Sequence, residues 1–307
     1  VAGARGAGVT ALLPFAKYQG AGNDFVVVDG RRERADWATL ARRVCDRHFG
    51  IGADGLLVAA VPGADGATQR MLMYNPDGSE AEMCGNGLRC FVRWVLDRGE
   101  AGRGILAVET GAGVLEAEVG ADGRVAVEMG PPRLGAAAIP LAPGVARAAG
   151  QPDEGPVLRL PLEVPAQGAF PGARYEATCV SMGNPHAVVF VPDPAAVPLE
   201  VVGPSLETHP AFPARTNVEL CRVVDPGRLR VRVWERGAGI TLACGTGAGA
   251  AVVAARLRGY VDERVTVELP GGELEVAWPG DPLGAGRSRP VVLRGPAVHV
   301  FDGAFPL

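Results

Sequence analysis

The 307-residue chain is 48% hydrophobic and 21% charged, and 34 acidic against 30 basic side chains leave a net charge of -4. That is a globular balance with length for one large domain or two ordinary ones. Nothing in it argues for a nucleic-acid partner, since no basic run or aromatic-basic stripe appears. No run of 18 uncharged apolar residues marks a membrane helix.

Taken in chain order, residues 1–13 are small and apolar with one arginine, and they lack the ordered regions of a signal peptide. They read as a loose leader. Lys17 is the single lysine of the chain, so a pyridoxal phosphate Schiff base would have one candidate, placed at the start of a strand-like run. A Gly22-Asn23 turn then opens the Val-rich strand GNDFVVVD. A later strand ends at Tyr74 in the loop YNPDGSEAEMCGNG. Beyond it Leu88, Phe91, Val92, Val95 and Leu96 recur at helical spacing, up to a stop at Arg98-Gly99. Alternation makes strands of VLEAEV from Val114 and RVAVEM from Arg124. Residues 133–173, rich in Ala, Pro and Gly, read as a connector.

After the connector the series starts again. GNPHAVVF from Gly183 answers GNDFVVVD from Gly22 at an offset of 161. RLRVRVWE from Arg228 alternates as a strand. WERGAGITLACGTG from Trp234 answers YNPDGSEAEMCGNG from Tyr74 at an offset of 160, which sets Cys244 on Cys84 and Glu235 on Asn75. Thr246 to Ala255 is an uncharged helix-like run, and Arg258-Gly259 ends it. VELPGGELEVAW from Val267 answers VETGAGVLEAEV from Val108 at an offset of 159. Three blocks in one order at nearly constant spacing mark a duplication.

The expected architecture is therefore α/β: two duplicated domains related by a pseudo-two-fold axis, each a mostly antiparallel sheet wrapped around a central buried helix. The expected halves are residues 1–130, joined by a C-terminal strand at 292–307, and residues 131–291. Equivalent loops would then face one another across a cleft holding the active site.

The six cysteines form no CxxC, and the four histidines show no zinc spacing, so no metal is expected. Cys45, Cys90, Cys179 and Cys221 read as core thiols. Cys84 and Cys244 differ, because each stands where a helix begins, followed by Gly-x-Gly. A helix start offers unpaired N–H groups and partial positive charge, which lowers a thiol pKa and binds a carboxylate. One thiol on each face of an acidic carbon suits proton removal from one side and return from the other.

These residues resemble the diaminopimelate epimerase family. The carrying motifs are GAGNDFVVVD at 20–29, HFGIGADG at 48–55, NPDGSEAEMCGNGLRC at 75–90, SMGNPH at 181–186, RTNVEL at 215–220 and ERGAGITLACGTG at 235–247. The resemblance implies a cofactor-independent, two-base isomerase that interconverts L,L- and meso-diaminopimelate in lysine and peptidoglycan-precursor biosynthesis. It implies Cys84 and Cys244 as the bases, and substrate contacts at Asn23, Asn75, Asn184, His186, Asn217, Glu235 and Arg236. It puts the reacting carboxylate on Gly85, Asn86, Gly245 and Thr246. It also implies a cytoplasmic homodimer that meets only a small diamino-dicarboxylate, with no nucleic acid or membrane partner. Gln19, Gly55, Ile240 and Gly249 depart from residues common in the family.

Four alternatives stand beside this reading, the first an epimerase for another two-ended amino acid. A proline or hydroxyproline racemase would share the two thiols without needing Arg236. A cysteine hydrolase would use His186 with one thiol and leave the other idle. A non-catalytic module would leave both thiols ordinary.

Overall fold

The computed structural model describes residues 12–152, 154–280 and 289–307. Residues 1–11 of the expected leader lie outside them, while Leu12 and Leu13 already belong to the first strand. The chain divides into two compact units.

The first unit comprises residues up to Gly20, Asp24–Ala117 and Ala297–Leu307. Its elements are β1 (Leu12–Gly20), β2 (Asn23–Asp29), α1 (Trp37–Val44), β3 (Gly55–Ala60), β4 (Gln69–Tyr74), β5 (Glu80–Ala81), α2 (Gly85–Asp97), β6 (Gly104–Thr110) and β7 (Gly113–Val119), with the last strand of the chain, Val298–Pro306, returning to it. That last strand pairs antiparallel with β1. β2 runs parallel to β3, β3 antiparallel to β4, and β4 antiparallel to β5 and parallel to β6. α2 packs on β1, β3, β4 and the last strand. Leu88, Cys90, Phe91, Val92 and Val95 are all fully buried, so the apolar stripe read from the sequence faces the sheet.

The second unit comprises Ala21–Asn23 and Glu118–Pro296. It contains β8 (Val125–Glu128), α3 (Val145–Ala148), β9 (Val157–Val164), β10 (Ala173–Ser181), β11 (Pro185–Phe190), α4 (Leu199–Glu207), β12 (Asn217–Asp225), β13 (Arg228–Glu235), β14 (Gly239–Thr241), α5 (Gly245–Leu257), β15 (Arg264–Leu269), β16 (Gly272–Ala277) and β17 (Val292–Gly295); the last strand of the chain is β18. β11 runs parallel to β12, β12 antiparallel to β13, and β13 antiparallel to β14 and parallel to β15. This is the β2-β3-β4-β5-β6 pattern over again, so the duplication read from sequence is also a duplication of strand pairing. α5 packs against strands of its own unit, from β10 round to β17. A helix enclosed this way has no solvent face, which explains why Gly247 to Ala255 carries no charge.

Two expectations shift. The units divide after Ala117 rather than near residue 130, because β8 pairs with β17 and so belongs with the second unit. The same pairing draws residues 292–296 there, leaving 297–307 to the first unit. The stretch 133–173 is more than a connector. β9 pairs antiparallel with β10, and Ile139, Leu141, Val157, Leu160, Leu162 and Val164 sit in the core with Leu199 and Leu206 of α4. The alternation of VLRLPLEV at 157–164 carries that burial, hidden from a composition reading by the surrounding Ala, Pro and Gly.

Among the described residues, no helix is long and apolar enough to cross a membrane. Among the same residues, no cluster of three or more His, Cys, Asp or Glu side chains is placed to hold a metal.

Candidate active site

The two Gly-Asn turns are built alike. Gly22 has φ +83° and Gly183 φ +98°, a backbone region open to glycine and strained for other residues. Each delivers its asparagine, Asn23 or Asn184, to the entry of a buried strand.

In the first unit, β4 ends in the NPDGS turn, where the Asn75 amide donates to Ser79 Oγ at 2.9 Å. The chain returns through β5 to Cys84, which is extended (φ -141°, ψ 123°) and forms the N-cap of α2. Gly85 and Asn86 follow in the buried first turn. The Asn86 side-chain oxygen, Oδ1, accepts from Arg89 Nη2 at 2.6 Å. On the adjoining edge Asp24 accepts from Lys17 at 2.6 Å and from Arg47 at 2.7 Å, and Lys17 also donates to the carbonyl of Gly52. Burial would raise the Asp24 pKa, but the bonds from Arg47 and Lys17 outweigh it and hold the carboxyl below its usual value. This network ties the 46–54 loop to the start of β2.

In the second unit, Cys244 is the extended N-cap of α5, and its sulfur accepts from Gly247 N–H at 3.4 Å. The Thr246 hydroxyl lies 3.4 Å from the same sulfur, and Asn184 donates to that hydroxyl at 3.3 Å. Asn184 Oδ1 lies 2.9 Å from His186 Nε2, and His186 Nδ1 lies 2.7 Å from Glu219 Oε1. With the Asn184 amide directed to Thr246, its oxygen takes the Nε2 proton, and one further proton is shared by Nδ1 and Glu219. A continuous path thus runs Glu219–His186–Asn184–Thr246–Cys244. Burial pushes the Glu219 carboxyl up. Burial, then the nearby Glu235 carboxylate, raises the Cys244 thiol well above its ordinary value, against the bonds from Thr246 and Gly247. Cys244 is therefore a proton-holding thiol in this structure.

The same unit gathers the other expected residues. In the parallel β11–β12 register His186 stands opposite Asn217. Asn217 donates to the Pro185 carbonyl and accepts from Arg236 N–H, both at 2.9 Å. Asn217 thus joins three motifs, and these two bonds use one of its two amide N–H groups and one of its two oxygen lone pairs. Glu235, at the end of β13, accepts from the Thr241 hydroxyl at 2.6 Å. Arg236 is exposed, and one guanidinium nitrogen donates to Ala214 O at 3.1 Å. Glu207 of α4 fixes this corner, accepting from Trp234 Nε1 at 2.6 Å and Gly237 N–H at 3.1 Å.

Residues 15–135 and 178–300 match the family model of diaminopimelate epimerase. A diaminopimelate epimerase of Nostoc sp. is 48% identical over 295 residues, covering 95% of this chain and 99% of the relative. The chain is a member of the diaminopimelate epimerase family. One from Moorella thermoacetica is 49% identical over 301 residues, 96% of this chain and 100% of that one. A solved phenazine biosynthesis protein of the PhzF family from Bacillus anthracis shares the fold at TM-score 0.69 and 16% identity, over 97% of this chain and 100% of its own.

The core thiols shift in the same direction as Cys244 and for the same leading cause. Burial pushes Cys45, Cys90 and Cys179 up to about 12 and Cys221 well above its ordinary value. Two residues of these surroundings went unread in the sequence, Arg89 and Glu219. Both are fully buried, and each has a side-chain atom with no hydrogen bond. A charged residue on the apolar side of α2, and another in the wholly buried start of β12, were the available signals.

Proposed function

We propose that this chain interconverts L,L- and meso-diaminopimelate without a cofactor, in lysine and peptidoglycan-precursor biosynthesis. One thiolate takes the α-proton and the other thiol returns a proton to the opposite face of the same carbon. Cys84 and Cys244 are the two bases. The observation that carries the reading is that each unit sets one cysteine in an extended N-cap of its enclosed helix, in a chain belonging to this family. The first-turn N–H groups at Gly85, Asn86, Gly245 and Thr246 are suited to the carboxylate whose charge grows as the α-carbon ionises. Arg236, Glu235, Asn75 and Asn217 are read as the recognition of the distal amino-acid end, with Asn23, Asn184 and His186 completing the contacts.

A homodimer is part of the same reading. It is supported by β18, whose Val298, Val300 and Phe301 are about half exposed. Residence in the cytoplasm is supported by six cysteines that are all free, two of which must stay reduced to work.

The test is deuterium entry at the α-carbon of one diaminopimelate stereoisomer in deuterated water. The parent chain exchanges and inverts, and Cys84→Ala or Cys244→Ala abolishes inversion. Full inversion by either single variant removes the two-base assignment.

A further inference from the structure

Arg89 heads the fully buried side chains by size, with no exposure. It forms no ion pair among the described residues. Its nitrogens donate to the Asn86 side chain at 2.6 Å and the Gly85 carbonyl at 3.3 Å, and Nε donates to nothing. A buried cation without an anion is costly. The cost is greater here, because the guanidinium lies against the first turn of α2, the positive end of the helix dipole. A cation in such a place calls for a negative charge close by.

The surroundings offer few anions. Cys90, one residue along α2, is held protonated by burial. Asp24 of β2 is engaged by Lys17 of β1 and by Arg47. β3 presents Leu57 to this turn. The other charges on α2 gather at its far end, where Asp97 takes Arg93 at 2.7 Å and the hydroxyl of Tyr18 at 2.8 Å, with His299 of β18 against the Tyr18 ring. The remaining candidate is Cys84, the N-cap one turn from the guanidinium. The second unit has no such cation, since the equivalent position, 160 residues on, is Gly249. Cys244 instead has the carboxylates of Glu235 and Glu219 nearby.

We propose that Arg89 is a positioning residue for proton transfer, whose buried guanidinium holds Cys84 as the thiolate of the resting protein while Cys244 holds the proton. The two halves of the duplication then differ in electrostatics where they agree in backbone. Cys84 is ready as a base and Cys244 as an acid before substrate arrives. Arg89 acts through Cys84 and through the Asn86 side chain it grips; it does not itself meet the reacting carbon.

The inference rests on the two-thiol reading, but its assay needs no substrate, so the two fail separately. The reduced full-length protein is alkylated with iodoacetamide across a pH series, and each cysteine peptide is followed by mass spectrometry. The midpoint of the rate against pH reports ionisation apart from accessibility. In the parent protein the Cys84 midpoint lies below that of Cys244. Arg89→Met, verified as folded by circular dichroism, raises the Cys84 midpoint by about one to three pH units, the range for losing a close opposite charge. Cys244 stays unchanged in that variant. Arg89→Lys, which keeps the charge, moves Cys84 back toward the parent value. A parent Cys84 midpoint at or above that of Cys244 overturns the proposal even if Arg89→Met does not fold. An unmoved Cys84 midpoint in folded Arg89→Met overturns it as well.

Discussion

Glu219 is the carboxylate at the inner end of the path to Cys244, and its replacement separates shape from charge. Its Oε1 lies 2.7 Å from His186 Nδ1, with both side chains fully buried. It also abuts α5, since a Cβ placed on Gly247 would stand 2.8 Å from the same oxygen. Glu219→Ala therefore strands a buried imidazole nitrogen and opens a void against the first turn of α5. Removing one partner of a buried pair costs about 3–5 kcal/mol. Glu219→Gln can turn its amide N–H to Nδ1, which leaves the Nε2 proton on Asn184 and exchanges only a charge-assisted bond for a neutral one, a cost of about 1–2 kcal/mol. The His186 ring also orients Asn184 and hence the Thr246 hydroxyl beside Cys244. A displacement of about 1 Å there is worth on the order of 100-fold in kcat. Denaturant unfolding of the full chain and initial rates on diaminopimelate provide the assay. Both losses should be severe in Glu219→Ala and mild in Glu219→Gln. Equal behaviour of the two variants, or an alanine variant within about 1 kcal/mol of the parent, which is the cost of an ordinary substitution, would refute the reasoning.

Two further outcomes are expected. Arg236→Lys keeps a charge but loses the planar fork, so kcat/KM for diaminopimelate should fall about 30-fold or more; an unimpaired variant would move the reading toward a one-ended substrate such as proline. The Asp24 carboxyl is depressed in the folded protein, so its contribution is complete above the ordinary aspartate value of 3.8 and is lost as pH falls through its lower folded value. Hydrogen exchange of residues 46–54 should accordingly stay slow down to about pH 4 and quicken below it, and protection that is already lost near neutral pH would contradict this account.

Much of this arrangement can be read from the sequence because it is written twice. The Gly-Asn turns, the thiol before Gly-x-Gly and the Arg-Gly stops recur at nearly fixed offsets, and a feature that survives duplication while its neighbours change is visible without coordinates. What stayed hidden depends on contacts distant in the chain. Arg89 looks like an ordinary helix arginine until the sheet closes over it. Glu219 looks like one polar residue in an alternating strand until His186 is brought beside it across 33 positions. The Asn217 amide, bonded to Pro185 and Arg236, shows the same limit, since its motif marks the position but not what the side chain holds. The unit boundary was missed because the partner of β8 is β17, far along the chain.

The pairing of β1 with β18 has a consequence for biosynthesis. Nearly the whole polypeptide lies between these two strands. Synthesis at about 5–20 residues per second keeps β1 waiting on the order of tens of seconds for its partner. The unit that leaves the ribosome first thus finishes last, while most of the other is already available to fold as a continuous stretch from Glu118 to Pro296. During that interval β1 is an open strand edge, the kind of surface on which nascent chains stick together.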